Sequence, residues 1–230
     1  MAQTQLNVAL YCHSRTAPRV PNSVQLIAEN LIIERGGRII VNGVTFTANA
    51  GEVVLLTGAN GAGKTTLLRA LAGFLPIIAG AIRVLPESGD TPRAEHIHAI
   101  GHANAVKAHL TVRENVAFWA DFLGPADGSE ARTDQALAAF ALRDLEEFPA
   151  SYLSAGQRRR VGLARLLAAP RPIWLLDEPT VSLDAASTAQ LADAIDAHTK
   201  AGGLAIAATH LPLGLQNTRE LRLERKGGTA

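Results

Sequence analysis

The chain has 230 residues, 47% of them apolar and 19% charged, which suffices for the core of one α/β domain and excludes a disordered chain. A formal net charge of +1 provides no basic field of the kind that captures nucleic acid, and no run of about 18 apolar residues offers a membrane span. The single cysteine, Cys12, excludes an internal disulfide framework and fits a reducing compartment.

Residues 1–23 lack the basic flank and apolar stretch of a signal peptide. Arg15, Pro18, Arg19 and Pro21 interrupt what apolar character there is, so a poorly ordered extension is expected. Residues 24–34 and 38–47 then read as two strands around Gly36 and Gly37, an antiparallel hairpin. "EVVLLTG" at 52–58 has the continuous apolar character of a buried parallel strand, and it opens into glycine-rich sequence followed by the helix "KTTLLRALAGF". Val112, Val116, Trp119 and Phe122, then Leu137, Phe140 and Ala141, recur at helical spacing on either side of "GPADGS", which predicts a small helical subdomain over about 101–150.

"YLSAGQRRRVGLAR", from Tyr152, starts another helix. Ser154 has the chemistry of an N-cap, and Ala155 and Gly156 leave first-turn N–H groups uncovered, so this helix start is suited to an anion. Arg158, Arg159 and Arg160 are too few for a nucleic-acid arm and read as a solvated helix face. "RPIWLLD" at 171–177 and "GLAIAATH" at 203–210 are two more buried strands, separated by a helix from about Asp184. Strands alternating with helices imply a parallel sheet, here in a single domain over 24–230 whose core is 24–100 and 151–230.

"GANGAGKTT" fits the phosphate-binding loop pattern in its required place, after a strand and before a helix. Gly58, Ala59, Asn60, Gly61, Ala62 and Gly63 bring backbone N–H groups around phosphate oxygens. Lys64 reaches the β- and γ-phosphates, and the hydroxyl of Thr65, followed by Thr66, is placed to ligate Mg²⁺. "IWLLDE" delivers Asp177 to the metal and sets Glu178 beside it, where a carboxylate orients and polarises an attacking water. His210 ends the next strand at the carboxyl edge of the sheet, where ligands of such folds bind, which places it at the γ-phosphate side. One nucleotide triphosphate is already served by the loop at Gly58. The second anion-ready start, at Ser154, is best explained by a nucleotide held on another subunit.

With these motifs in this order, "GANGAGKTT", "LSAGQ", "LLDE", "SLD" and His210, residues 24 to about 226 resemble the nucleotide-binding subunits of ABC transporters. The resemblance implies a P-loop NTPase core of ABC type, with an N-terminal antiparallel β subdomain and a small helical subdomain. It implies ATP and Mg²⁺ as cofactors, and catalysis by Glu178, His210 and Lys64. Ser154, Ala155, Gly156 and Gln157 match the signature that completes the ATP pocket of a second copy in a sandwich dimer, and Asp184 matches the loop that touches that partner's site. Arg35 stands in place of the family's adenine-stacking aromatic and offers a planar guanidinium instead. His102 takes the position of the family's glutamine beside the metal, together with Thr65 and Asp177. "IGHANAVKAHLTVRENVAFW" and "IERGGR" further resemble the ATP-binding subunit of the haem exporter of cytochrome c biogenesis. That implies integral membrane transporter subunits as partners, no nucleic acid, and a peripheral location at the cytoplasmic face of the inner (plasma) membrane.

Three other readings compete. His96, His98, His102 and His109 suggest a direct haem or metal site. Period 2 puts His96 and His98 on one strand face, but no Cys or carboxylate completes a ligand set, and haem is expected to be handled by partners. The non-transport ABC proteins carry paired cassettes, coiled coils or zinc modules, none of which is visible here. A nucleotide clamp without turnover is opposed by intact Lys64, Asp177, Glu178 and His210.

Overall fold

The computed structural model describes residues 24–86, 92–209, 213–215 and 217–224; the extension over 1–23 with Cys12, and His210, lie outside the described residues. The hairpin around Gly36 and Gly37 forms, with β1 (Gln25–Arg35) antiparallel to β2 (Arg38–Asn49) and Arg35 opposite Arg38. Along the chain follow β3 (Val53–Thr57), α1 (Lys64–Leu71), β4 (Ala79–Leu85) and β5 (Ile97–Ile100). Then come α2 (Val112–Leu123), α3 (Ser129–Ala139), α4 (Ala155–Ala168), β6 (Ile173–Asp177), α5 (Ala185–Lys200), β7 (Leu204–Ala208) and β8 (Thr218–Arg222).

Two sheets result: an antiparallel one in the order β2-β1-β4 and a parallel one in the order β5-β6-β7-β3-β8. Three of these strands carry weak sequence signals. β4 is only half-buried along its length, β5 has four residues, and β8, "TRELR", is an exposed strand at the sheet edge, where charged side chains discourage pairing with another chain.

The parallel sheet separates two apolar cores because successive side chains of a strand point to opposite faces. Trp174, Leu176, Ala205 and Ala207 pack with Val116, Leu137 and Val161 on the side of α2, α3 and α4. Ile173, Leu175, Leu204 and Ile206 join Val54, Leu56, Leu67 and Leu26 on the side of α1 and the antiparallel sheet. Each such Leu, Ile or Val contributes about 1.5–3 kcal/mol on burial. The buried stripe of α2 runs Val112, Val116, Ala120, so Phe122 turns outward and is 58% exposed. Asn115 on the same helix holds the preceding loop, bonding the N–H and C=O of Lys107 at 2.7 and 3.0 Å and the carbonyl of Thr111 at 2.9 Å.

Two histidines pack against the core, His98 buried and His198 half-buried. His96 and His98 do not share a strand face: His96 ends a single 3₁₀ turn, Arg93–His96, and only His98 lies within β5, where its Nε2 donates to the carbonyl of Ala169. His198 stacks on Trp174 at 3.9 Å and 8° and bonds the carbonyl of Leu204 at 3.2 Å. Burial pushes His98 down to about 3 and His198 down to about 4, against opposing hydrogen bonds to backbone carbonyls. Both rings are therefore neutral when folded, whereas in the unfolded chain they titrate near 6.5. The unfolded state binds more protons between those values, so this stability is complete above about pH 6.5 and is lost as pH falls toward the folded values. Replacing His198→Phe keeps a ring on Trp174 and removes the proton. Unfolding free energies from urea titrations between pH 7 and 4 should then depend less steeply on pH, by up to ~1.4 kcal/mol per pH unit; an unchanged slope would show that His198 does not titrate on unfolding.

Candidate active site

The parallel register aligns the chemistry. Leu56 of β3 and Asp177 of β6 both pair with Ala208 of β7, so three adjacent strands end side by side at the carboxyl edge of the sheet. The loop over 58–63 leaves that edge and enters α1 at Lys64. Gly58 cannot be replaced there: its φ is +131°, and a Cβ would lie 2.3 Å from the carbonyl oxygen of Leu223. Lys64 is largely buried, and its Nζ donates to the carbonyls of Gly58 at 2.7 Å and Ala59 at 3.4 Å. The ammonium thus lies inside the loop's own curl.

Thr65 and Asp177, 112 positions apart in sequence, meet directly: the threonine hydroxyl donates to Oδ1 of the carboxylate at 3.1 Å. On the other side of the carboxylate, His102 Nε2 lies 3.8 Å from Oδ2, beyond hydrogen-bond distance. A hydroxyl, a buried carboxylate and an imidazole nitrogen facing one another fit a divalent cation. Among the described residues no three His, Cys, Asp or Glu side chains cluster as a metal cage. Glu178 follows at once, with φ of +46°, an uncommon conformation for a residue with a side chain. Its N–H is tied to the carbonyl of Ala208 at 2.8 Å, which fixes the end of β6 against the end of β7.

Arg159 holds this arrangement from behind. It does not lie on a solvated helix face but is 4% exposed. Its guanidinium donates to the carbonyls of Pro179 at 3.1 Å, Glu178 at 2.9 Å and Gly101 at 2.7 Å, and to Oδ1 of Asn104 at 3.1 Å. Burial lowers its pKa, and the negative charge of Asp177 works against that. One side chain of α4 therefore joins the end of β6 to the segment 101–104 that carries His102. The sequence signal for this was helical spacing: Arg159 shares a face with Leu163 and Leu166, both buried.

The remaining candidates lie around this centre. Ser154 caps α4 in a capping box: its Oγ accepts from Gln157 N–H at 3.2 Å, and its own N–H donates to Gln157 Oε1 at 2.8 Å. The N–H groups of Ala155 and Gly156, in the same first turn, take no part in the box. A Cβ on Gly156 would lie 2.8 Å from the carbonyl of Ser182, so glycine permits the contact between α4 and the segment before α5. Asp184 caps α5 by accepting from Ser187 N–H at 2.7 Å, and this bond holds its carboxyl below the usual range. A cleft of about 200 Å³ has His102, Asn104, Ala155, Arg159 and Ser182 in its walls. A larger cavity of about 440 Å³, lined by Phe74, Leu75 and Arg93, opens beyond the C-terminus of α1 and includes neither Lys64 nor Asp177, so size does not mark the site. Arg35 is exposed at the end of β1, and the following strand approaches the phosphate loop: a Cβ on Gly63 would meet the side chains of Ile40 and Val41 at 3.1 Å.

Comparison with known proteins adds the following. The sequence pattern of the family described as ABC transporter matches residues 41–181. A protein of Chelativorans sp. (strain BNC1), named cytochrome c biogenesis ATP-binding export protein CcmA, is 47% identical over 206 residues, covering 87% of this chain and 98% of its own. The protein of the same name from Rhodopseudomonas palustris (strain HaA2) is 48% identical over 200 residues, with coverage of 87% and 98%. A solved structure described as the ATP binding subunit of an ABC transporter superposes with a TM-score of 0.75 at 23% identity, over 88% of this chain and 89% of the other, and so shares the fold.

The Arg159 arrangement has a measurable consequence. Arg159→Met keeps the stem but leaves the carbonyls of Gly101, Glu178 and Pro179 without this donor. Urea denaturation should show a loss of about 2–4 kcal/mol, and Arg159→Lys should recover little of it, because an ammonium cannot reproduce the planar fork. A loss under about 0.5 kcal/mol for Arg159→Met would mean that water replaces the guanidinium without penalty.

Proposed function

This chain belongs to the ABC transporter family as an ATP-binding subunit that couples ATP hydrolysis to export, and from that premise we propose that the complex it powers is the haem exporter of cytochrome c biogenesis. The observation that carries the catalytic reading is the 3.1 Å contact between Thr65 and Asp177, with Glu178 held next in line at the strand end. In this reading the P-loop N–H groups and Lys64 bind the β- and γ-phosphates, Lys64 exchanging its carbonyl partners for phosphate oxygens. Thr65 and Asp177, with His102 at their side, would hold Mg²⁺, which would supply charge neutralisation at those phosphates. Glu178 accepts the proton of the water that attacks the γ-phosphorus, the bond to the β-phosphate oxygen breaks, and ADP and phosphate result. The resemblance assigns His210 to the γ-phosphate and Arg35 to the base.

Two features support assembly with membrane subunits. No helix among the described residues is long and apolar enough to cross a membrane. Near the segment 102–110, Phe118 and Phe122 stack at 5.5 Å, both exposed, and Phe148 is 54% exposed. Aromatic surface of this kind fits a peripheral attachment to integral partners that handle the haem. A second copy of the chain is the other partner. Its Ser154, Ala155, Gly156 and Gln157 close on the first copy's γ-phosphate, with Asp184 beside them.

Both parts are open to test. Glu178→Gln should retain ATP binding and slow hydrolysis by on the order of 10²- to 10⁴-fold; turnover at the unmodified rate would remove Glu178 from the role of base. Pairing should require ATP, because the γ-phosphate carries the charge that the helix start stabilises, at about 0.3–1 kcal/mol from the dipole in addition to direct N–H bonds. Light scattering of the Glu178→Gln protein should show doubled mass with ATP and not with ADP, and adding Ser154→Arg should abolish the change. Equal mass with ATP, ADP and no nucleotide would count against the pairing.

A further inference from the structure

We propose that Arg159 is a positioning residue for the hydrolytic step: it holds the backbone of Glu178 in the conformation from which the carboxylate serves the attacking water, and so acts on turnover through Glu178 rather than on ATP binding. This deepens the ATPase reading above and rests on it. The backbone at Glu178 is one its own sequence does not favour. Its φ is +46°, where a side chain crowds the backbone, and Pro179 narrows the conformations open to the residue before it. A residue in that state stays there only when its surroundings hold it.

The restraints lie on both sides of its Cα. The N–H of Glu178 donates to the carbonyl of Ala208 at 2.8 Å, and its carbonyl accepts from the Arg159 guanidinium at 2.9 Å. The carbonyl of Pro179 accepts from Nε of the same arginine at 3.1 Å. With the groups on either side of Cα held, the direction of the Cα–Cβ bond is held as well, and with it the root of the carboxylate arm. The arginine is itself immobile. It is 4% exposed, and its bonds to the Gly101 carbonyl at 2.7 Å and to Oδ1 of Asn104 at 3.1 Å anchor the other edge of the planar fork.

Without the guanidinium, the Glu178 carbonyl keeps a longer bond, 3.3 Å, from the N–H of Val181, which belongs to the same turn and can move with it. The turn then relaxes toward an ordinary conformation and carries the carboxylate off its line. A displacement on the order of 1 Å at a reacting group costs about 10²-fold in rate. The loop over 58–63 and Lys64, which bind the phosphates in this reading, make none of these bonds, so ATP affinity is spared.

The experiment is a double-mutant cycle on the full chain, with kcat for ATP hydrolysis and the equilibrium affinity for ATP measured separately, at a temperature where urea curves show every variant folded. Arg159→Met should lower kcat by about 10- to 100-fold and leave the ATP affinity within about threefold. In the Glu178→Gln background, where the carboxylate is already gone, the same substitution should change the residual rate by less than about threefold, because residues that act as a unit are not additive. Arg132→Met controls for stability alone. That guanidinium also bonds backbone carbonyls, of Ala168 at 2.9 Å, Pro125 at 2.9 Å and Ala120 at 3.2 Å, but it ties α2 to α4 and not to the strand ends. It should reduce the urea midpoint and keep kcat within about twofold. Should Arg159→Met not fold, Arg159→Gln, whose amide keeps a donor for one of the carbonyls, goes through the same cycle. A kcat for the Arg159 variant within about twofold of the unmodified protein, an equal fall in both backgrounds, a loss confined to ATP affinity, or a comparable fall for Arg132→Met would overturn the proposal and leave the ATPase reading intact. A Glu178→Gln protein that hydrolyses ATP at the unmodified rate would overturn both, and that variant is measured first.

Discussion

A guanidinium removed from water must find acceptors for its N–H groups, and in this chain that requirement organises the site. Arg159 projects from α4 into the space behind the ends of β5 and β6, where apolar packing alone would leave several carbonyls without donors. By meeting them it joins three pieces far apart in sequence: the helix that begins at Ser154, the strand end at Asp177 and the segment carrying His102. Buried charges are costly when isolated and specific when fully bonded, because only one arrangement satisfies them. The separation of His102 from Asp177 follows from that arrangement.

The parallel sheet supplies the complementary constraint. Strands covered on both faces must be apolar on both, and β6 and β7 are buried at every position. Polar function is thereby confined to the strand ends. The register that pairs both Leu56 and Asp177 with Ala208 makes those ends contiguous, so the glycine-rich loop over 58–63, the Asp177 carboxylate and Glu178 share one edge. The strained backbone at Glu178 sits where the chain must leave the sheet while keeping its N–H on the Ala208 carbonyl.

Two helix starts differ in how they use their free N–H groups. α1 begins at Gly63 with no side-chain cap, its first turn continuous with the phosphate loop. α4 begins with a complete capping box, which satisfies Ser154 and Gln157 internally and leaves Ala155 and Gly156 at the front. A helix start open along its whole first turn suits a phosphate chain wrapped by a loop, and a half-closed one suits a single phosphate group approaching from outside.

The sequence by itself determined the class of fold and most of the centre. Hydrophobic runs of strand length, a glycine-rich loop between strand and helix, and acidic residues directly after "IWLL" are local patterns, readable because adjacent residues carry them. Ser154 was legible as a cap, and a helix start near Asp184 as well, for the same reason. The half-exposed β4 and the charged edge strand β8 were not, since each is a strand only because a neighbour offers it hydrogen bonds, and β5 was legible as a strand through His98 but not in its start after His96. Likewise, helical spacing with Leu163 and Leu166 marks which of three arginines turns inward but not which carbonyls it meets, and nothing local says whether a histidine such as His98 lies on a surface or inside a core. Those outcomes were decided by the tertiary structure, because burial and hydrogen-bond satisfaction are properties of segments brought together across the chain and not of any one of them.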